Sequence, residues 1–330
     1  MTTNFFQPFE NEFFTAACKA RFSFPDPSLP YENRYQAKVS SLRSSIYRSI
    51  DAGLSALSDE LGGIYTGHDS AHFDDVVKYA WMLLGNPKCD EASAHIAGFT
   101  PFEIYVLLMA IRIHDVGNIC GRELHEMRCL EVLQEISDIS DDSFETTKIV
   151  QVAQAHGGRH RLLGKDTIGA LPEVDTVGSC KLHMRALAAI TRFADEICET
   201  SRRASTFLLL KGLLPEKSKI YHQYAYSIKS AIVENDRILR LTYQIDDSLL
   251  NRTWEVLGGW CYLSDFILER LAKLNTERIY YNQFVDARFQ VSNIEARVQV
   301  VHGMDVKHEE IVRTVRSEER RVGKECRSRW

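Results

Sequence analysis

The 330-residue chain has no CxxC pair, no basic leader running into an apolar segment, and only eight prolines. Its eight cysteines, Cys18, Cys89, Cys120, Cys129, Cys180, Cys198, Cys261 and Cys326, are scattered without zinc-ribbon spacing. That scatter predicts reduced thiols packed mostly as small hydrophobes, and with MTTNFFQPFENEFF at the start it predicts a cytoplasmic protein without a secretory signal. The longest apolar run, around Tyr105 to Ile111, is too short for a bilayer and is flanked by Glu103 and Arg112, so no membrane association is expected. Surplus basic charge is missing too. A formal net charge of −5 argues against nucleic acid as the main partner, though it leaves room for a local basic pocket. GxxxxGK[ST], a GxGxxG following a strand, and a GxSxG elbow are all absent, which removes P-loop, Rossmann and nucleophile-elbow chemistry.

What remains is a chain with 45% hydrophobic and 26% charged residues, enough apolar material for a real core. The first forty residues are aromatic and proline-rich (FFQPFE, FSFPDPSLPYENRY) and read as an irregular arm. Helical periodicity begins near Gln36 and continues towards Glu60. Further helices are expected at about His72 to Leu84, Pro101 to Asp115, Gly121 to Ile136, Ser143 to His156 and Lys181 to Ser205. Beyond Leu210 the pattern changes to a hairpin over Ile220 to Ile245, a long helix striped from Leu250 to Leu271, and alternating segments over Phe289 to Val301. The expected layout is an N-terminal arm and helix over 1–60, a helical domain over 61–210, an α+β extension over 211–315 and a tail over 316–330. That tail carries six basic and three acidic residues, loses the amphipathic pattern and resembles vector-derived read-through, so its charge is left out of functional inference.

Histidine and aspartate recur at the expected helix ends. YTGHDSAHFDDVV supplies Asp69 and His72, IRIHDVGNICGRELHE supplies His114, Asp115 and His125, QAHGGRH supplies His156, and RFADEICETSRRAS supplies Asp195. Neutral imidazoles and carboxylates projecting inward from several helices are how bundles build internal metal sites. The bland readings remain open: a buried histidine is often just a satisfied core residue, and His125 beside Glu123 and Glu126 also suits a helix surface. Asp195 is less easily dismissed, because at about 100° per residue it falls beside Met184, Ala188, Thr191 and Cys198, an environment in which a carboxylate needs a partner.

The ordered set, His72 with Val76, the adjacent His114-Asp115 pair and the later Asp195, resembles the HD-domain family of metal-dependent phosphohydrolases. The resemblance runs over roughly Tyr65 to Ser205. It implies a mainly α protein, an HD-type helical bundle with an α+β C-terminal extension. His72, His114, Asp115 and Asp195 would be metal ligands, with His125 and His156 added in members that hold two ions. The ADEI string at Asp195 and the following Arg202-Arg203 also look like a bacterial subgroup found near Hsp90-like ATPases, which would then be possible partners. The activity implied is hydrolysis of a phosphomonoester or phosphodiester, a nucleotide or related phosphate, by a metal-activated water. One or two divalent ions (Mn, Fe, Co, Ni, Zn or Mg) would serve, Asp115 would bridge them in a two-metal site, Asp69 would be a proton shuttle, and Arg202, Arg159 and Lys165 would bind phosphate oxygens. Two other readings stand beside it: a non-catalytic nucleotide sensor or partner-binding module on the same fold, and a single-strand nuclease.

Overall fold

The computed structural model describes residues 6–53, 70–120, 125–134, 143–157, 162–256, 259–303 and 305–313, which form a mainly helical protein with a C-terminal α+β part. By compactness the described chain divides in two: 6–53, 70–198 and 281–289 in a first unit, 199–280 and 290–313 in a second.

The first unit is organised around one helix that is buried on every side. Its helices are α1 (Pro8–Lys19), α2 (Tyr31–Leu42), α3 (Arg48–Gly53), α4 (Ser70–Leu83), α5 (Pro101–Ile113), α6 (His125–Gln134), α7 (Ser143–Gln154) and α8 (Met184–Ile197), with a small hairpin, β1 (Asp175–Val177) and β2 (Cys180–Leu182), before the last. Every residue of α5 is buried. Its start is fixed locally: Pro101 sits in the first turn, the Thr100 hydroxyl accepts from the Glu103 amide (3.2 Å), and the Glu103 carboxylate accepts from the Thr100 amide (2.9 Å). Helices α1, α4, α7 and α8 pack around it.

The aromatic N-terminal stretch is not irregular. Gln7 and Glu10 cap α1 reciprocally around Pro8, and Phe9, Phe13, Ala16 and Ala17 form its buried stripe. The helix expected from Gln36 starts at Tyr31 and passes through a π-helical turn, Arg43–Tyr47, into α3; its end towards Glu60 lies outside the described residues. The helix expected over Lys181 to Ser205 is shorter, because Cys180–Leu182 pairs in the hairpin and Cys198 leaves helical geometry.

The second unit holds α9 (Thr206–Leu210), α10 (Glu216–Ser227), β3 (Ile228–Val233), β4 (Ile238–Asp246), β5 (Thr253–Val256), β6 (Gly259–Tyr262), α11 (Leu263–Tyr281), β7 (Asn293–His302) and β8 (Asp305–Arg313). Its four-stranded sheet has the order β3-β4-β7-β8, with β4 and β7 parallel and joined through α11. Leu239, Leu241, Tyr243 and Ile245 alternate inward along β4, as their spacing predicts. Two sequence expectations fail here. The hairpin begins at Ile228, since 216–227 are helical. The stripe from Leu250 is also no continuous helix: Trp254 lies on β5 of a hairpin, with α11 starting only at Leu263. Thr253, Val256, Trp260 and Tyr262 are strand formers around a Gly-Gly pair, and this local preference beats a helical stripe whose spacing they happen to match.

Among the described residues, no single helix is long and apolar enough to cross a membrane.

Candidate metal centre

Five helix ends of the first unit bring their side chains together. His72 lies in the first turn of α4, and His125 is the first residue of α6. His114 caps α5, with Asp115 next, before the 3₁₀ helix Val116–Cys120. His156 follows α7 by two residues, and Asp195 occupies the last turn of α8, where its carbonyl accepts from the Cys198 amide (3.0 Å).

The two oxygens of Asp115 face different imidazoles. Oδ2 is 3.7 Å from Nε2 of both His72 and His114, and Asp195 closes that side with Oδ1 at 3.1 Å from His72 and 3.7 Å from His114. Oδ1 of Asp115 is 3.1 Å from Nε2 of His125 and 3.4 Å from Nε2 of His156. Three overlapping triads, His72–His114–Asp115, His114–His156–Asp195 and Asp115–His125–His156, each offer one donor atom per residue within 4.8 Å of the others. Metal–ligand bonds of about 2.0–2.6 Å give spheres about 4–5 Å across, so each triad has the size of a coordination shell.

The outward face of each ring explains why Nε2 points in. A carbonyl can only accept, so Nδ1 of His114 donates to Ile111 O (2.8 Å) and Nδ1 of His156 donates to Ala153 O (2.6 Å), which leaves Nε2 of each neutral ring as the ligating lone pair. Nδ1 of His125 lies 3.3 Å from Glu126 Oε2, and Nδ1 of His72 lies 3.7 Å from the Cys198 sulfur.

The electrostatics are those of a cluster short of positive charge. Burial disfavours a protonated His114, but Asp115 and Asp195 outweigh it and lift the imidazole to about 9. Burial likewise opposes ionisation of Asp195, yet His114 and His72 hold its carboxyl well below the usual range. Nε2 of His114 is buried and has no hydrogen-bond partner among the described residues. A divalent cation fits this donor set, because it would engage that nitrogen and balance the two carboxylates. His72, His114, Asp115 and His156 are at most 5% exposed, whereas His125 and Asp195 are 19% and 21% exposed, so solvent reaches the cluster along those two side chains.

The six residues named as ligands from sequence therefore come together. Of the other candidates, Asp69 and Arg159 lie outside the described residues, Lys165 is exposed beyond α7, and Arg202 is exposed in the 3₁₀ helix Ser201–Arg203 of the second unit. Two further side chains stand against the ligands. Cys198 backs His72, and its place three residues after Asp195 on one helical stripe was a usable signal. Glu126, which from sequence suits an exposed helix face, is buried against His125. Asn118 is buried in the 3₁₀ turn, with neither amide atom hydrogen-bonded among the described residues, and no sequence pattern marks it.

The model of the HD-CE family matches residues 62–265, more than half of the chain and all six clustered residues. The chain belongs to the HD-CE family. The HD-CE span begins ahead of α4 and ends in the first turn of α11, so α1–α3 precede it and β7 and β8 follow it. No curated protein and no solved structure matches the chain.

Proposed function

We propose that the protein is a divalent-metal phosphohydrolase acting on a nucleotide or related small phosphate ester, with two metal subsites that share Asp115. The carrying observation is the division of one carboxylate: Oδ2 faces His72 and His114 with Asp195, and Oδ1 faces His125 and His156. Four imidazole nitrogens with carboxylate oxygens suit Mn, Fe, Co, Ni or Zn better than Mg. Bound there, such ions polarise a phosphoryl oxygen and bring the pKa of a coordinated water towards neutrality.

The chain's own contribution is positional and electrostatic. Backbone carbonyls at 111 and 153 lock two rings with Nε2 inward, so the ligands lose little freedom on binding. Asp115 presents one carboxylate oxygen to each subsite. The rim at His125 and Asp195 is where the phosphate enters, and Lys165 and Arg159 beyond α7 supply cations for its oxygens. Asp69, just ahead of His72 in sequence, is the proposed proton carrier.

Metal analysis of the purified chain, combined with phosphate release from a panel of nucleoside phosphates and cyclic nucleotides, tests this reading. Wild-type protein is expected to hold metal and release phosphate, and His114→Ala to hold less metal and release no phosphate. Bound metal without turnover of any panel member would favour the alternative, a nucleotide sensor or partner-binding module. A wild-type chain that takes up no divalent metal would remove the centre altogether.

A further inference from the structure

Gly117, three residues after His114, is packed against backbone. A Cβ built on it would lie 1.9 Å from the His125 carbonyl oxygen, 2.9 Å from the carbonyl carbon and 3.2 Å from Cβ of Arg128. The other close approaches among the described glycines, at Gly98 and Gly169, meet the ends of side chains, which can move aside. Gly117 is also absent from the left-handed region, so its backbone angles do not call for glycine. The missing side chain serves one purpose: it lets the first turn of α6 rest on the 3₁₀ turn, where Arg128 reaches the Cys120 carbonyl.

His125 is the residue that benefits. It opens α6, its own carbonyl is the atom touching Gly117, and its Nε2 stands 3.1 Å from Asp115 Oδ1. A carbon and a carbonyl oxygen need more than 3 Å, so a methyl at 117 would push this carbonyl back by on the order of 1 Å. Metal–ligand distances tolerate only about 0.2 Å. The displacement therefore exceeds the tolerance severalfold. None of His72, His114 and Asp195 lies on α6, and Asp115 precedes the turn.

We propose that Gly117 is a positioning residue that sets the number of metal ions: its bare Cα admits α6 closely enough for His125 to complete the second subsite. A side chain there lifts α6 and leaves a one-ion centre. This inference rests on the two-subsite reading above.

The test uses full-length, metal-stripped protein titrated with Co²⁺, with stoichiometry read from metal analysis and from the visible d–d spectrum, and with folding followed by circular dichroism and thermal melting. Wild type is expected to bind two ions. Gly117→Ala should fold, keep one ion, and bind a second at least about 100-fold more weakly. His125→Ala, which removes the ligand without touching the turn, should give the same one-ion spectrum, and G117A/H125A should lose nothing further. Two tightly held ions in Gly117→Ala would overturn the proposal, and so would failure of that variant to fold, because α6 alone is held to move. One ion or none in wild type would instead overturn the two-subsite reading, and the role given to Gly117 with it.

Discussion

Arg112 and His114 stand two residues apart at the end of α5, yet they serve buried clusters of opposite kinds. The Arg112 guanidinium donates through Nη2 to Glu10 (2.6 Å) and through Nη1 to Asp74 (2.5 Å), and Asp74 also accepts from Arg43 (2.6 Å). Nearby, fully buried Glu145 accepts from Tyr105 (2.8 Å), Arg34 (2.9 Å) and Tyr31 (3.1 Å). In both places permanent cations of the chain meet its carboxylates. At Asp115 and Asp195 the partners are imidazoles, which are positive only while protonated. Charge completed by side chains makes scaffold, and charge completed by protons or a cation makes a site. The scaffold cluster also sets the site's geometry, since Asp74 and Arg112 tie α4 to α5 two residues from His72 and His114.

The largest expected effect tests the scaffold half. Arg112→Met strands fully buried Glu10 without its cation and leaves Asp74 to Arg43 alone, which should lower unfolding free energy by about 3–5 kcal/mol. Denaturant unfolding with and without EDTA measures it, and the loss should be the same in both. A change under about 1 kcal/mol would put Arg112 in the same class as the imidazoles.

Asp115→Asn should behave in the opposite way. Above about pH 9, where the His114 imidazole has lost its proton, the metal-free protein is expected to melt close to wild type, because no cation then loses its partner. Metal-dependent stabilisation should vanish. In wild type it amounts to about 2.7 kcal/mol at a metal concentration 100 times Kd. Paired thermal melts, stripped and metal-loaded, check it: a variant still stabilised by metal would mean that Asp115 is not the shared ligand.

How much of this was legible in the sequence follows from the range of each interaction. His114-Asp115 is adjacent, and the places of His72 and Asp195 on amphipathic helices are set by local periodicity, so the order and facing of those residues could be read directly. The locks on the rings could not, because the carbonyls of Ile111 and Ala153 carry no residue signature. Glu10 and Arg112 are separated by 102 positions, and nothing local pairs them. In the second unit, Leu250, Trp254 and Cys261 fit a helical period while Thr253, Val256 and Tyr262 are strand formers; both signals are local and compete over the same residues, and the pairing of β5 with β6 shows that the strand preference wins.

The smallest effect probes whether the two halves of the centre are held independently. Cys198 stands on the His72 side, its sulfur 3.7 Å from Nδ1. Cys198→Ala removes that contact and should weaken the His72–His114–Asp195 subsite by about tenfold, the lower end of what loss of such a partner costs. The His125–His156 subsite should keep its affinity. Packing and orientation are separated by Cys198→Ser, whose hydroxyl offers Nδ1 a stronger acceptor while still losing some of the sulfur's volume. If orientation is the cause, serine recovers most of the tenfold in a Co²⁺ titration; if serine is as weak as alanine, the thiol merely fills space behind α4, and His72 is oriented by its helix alone.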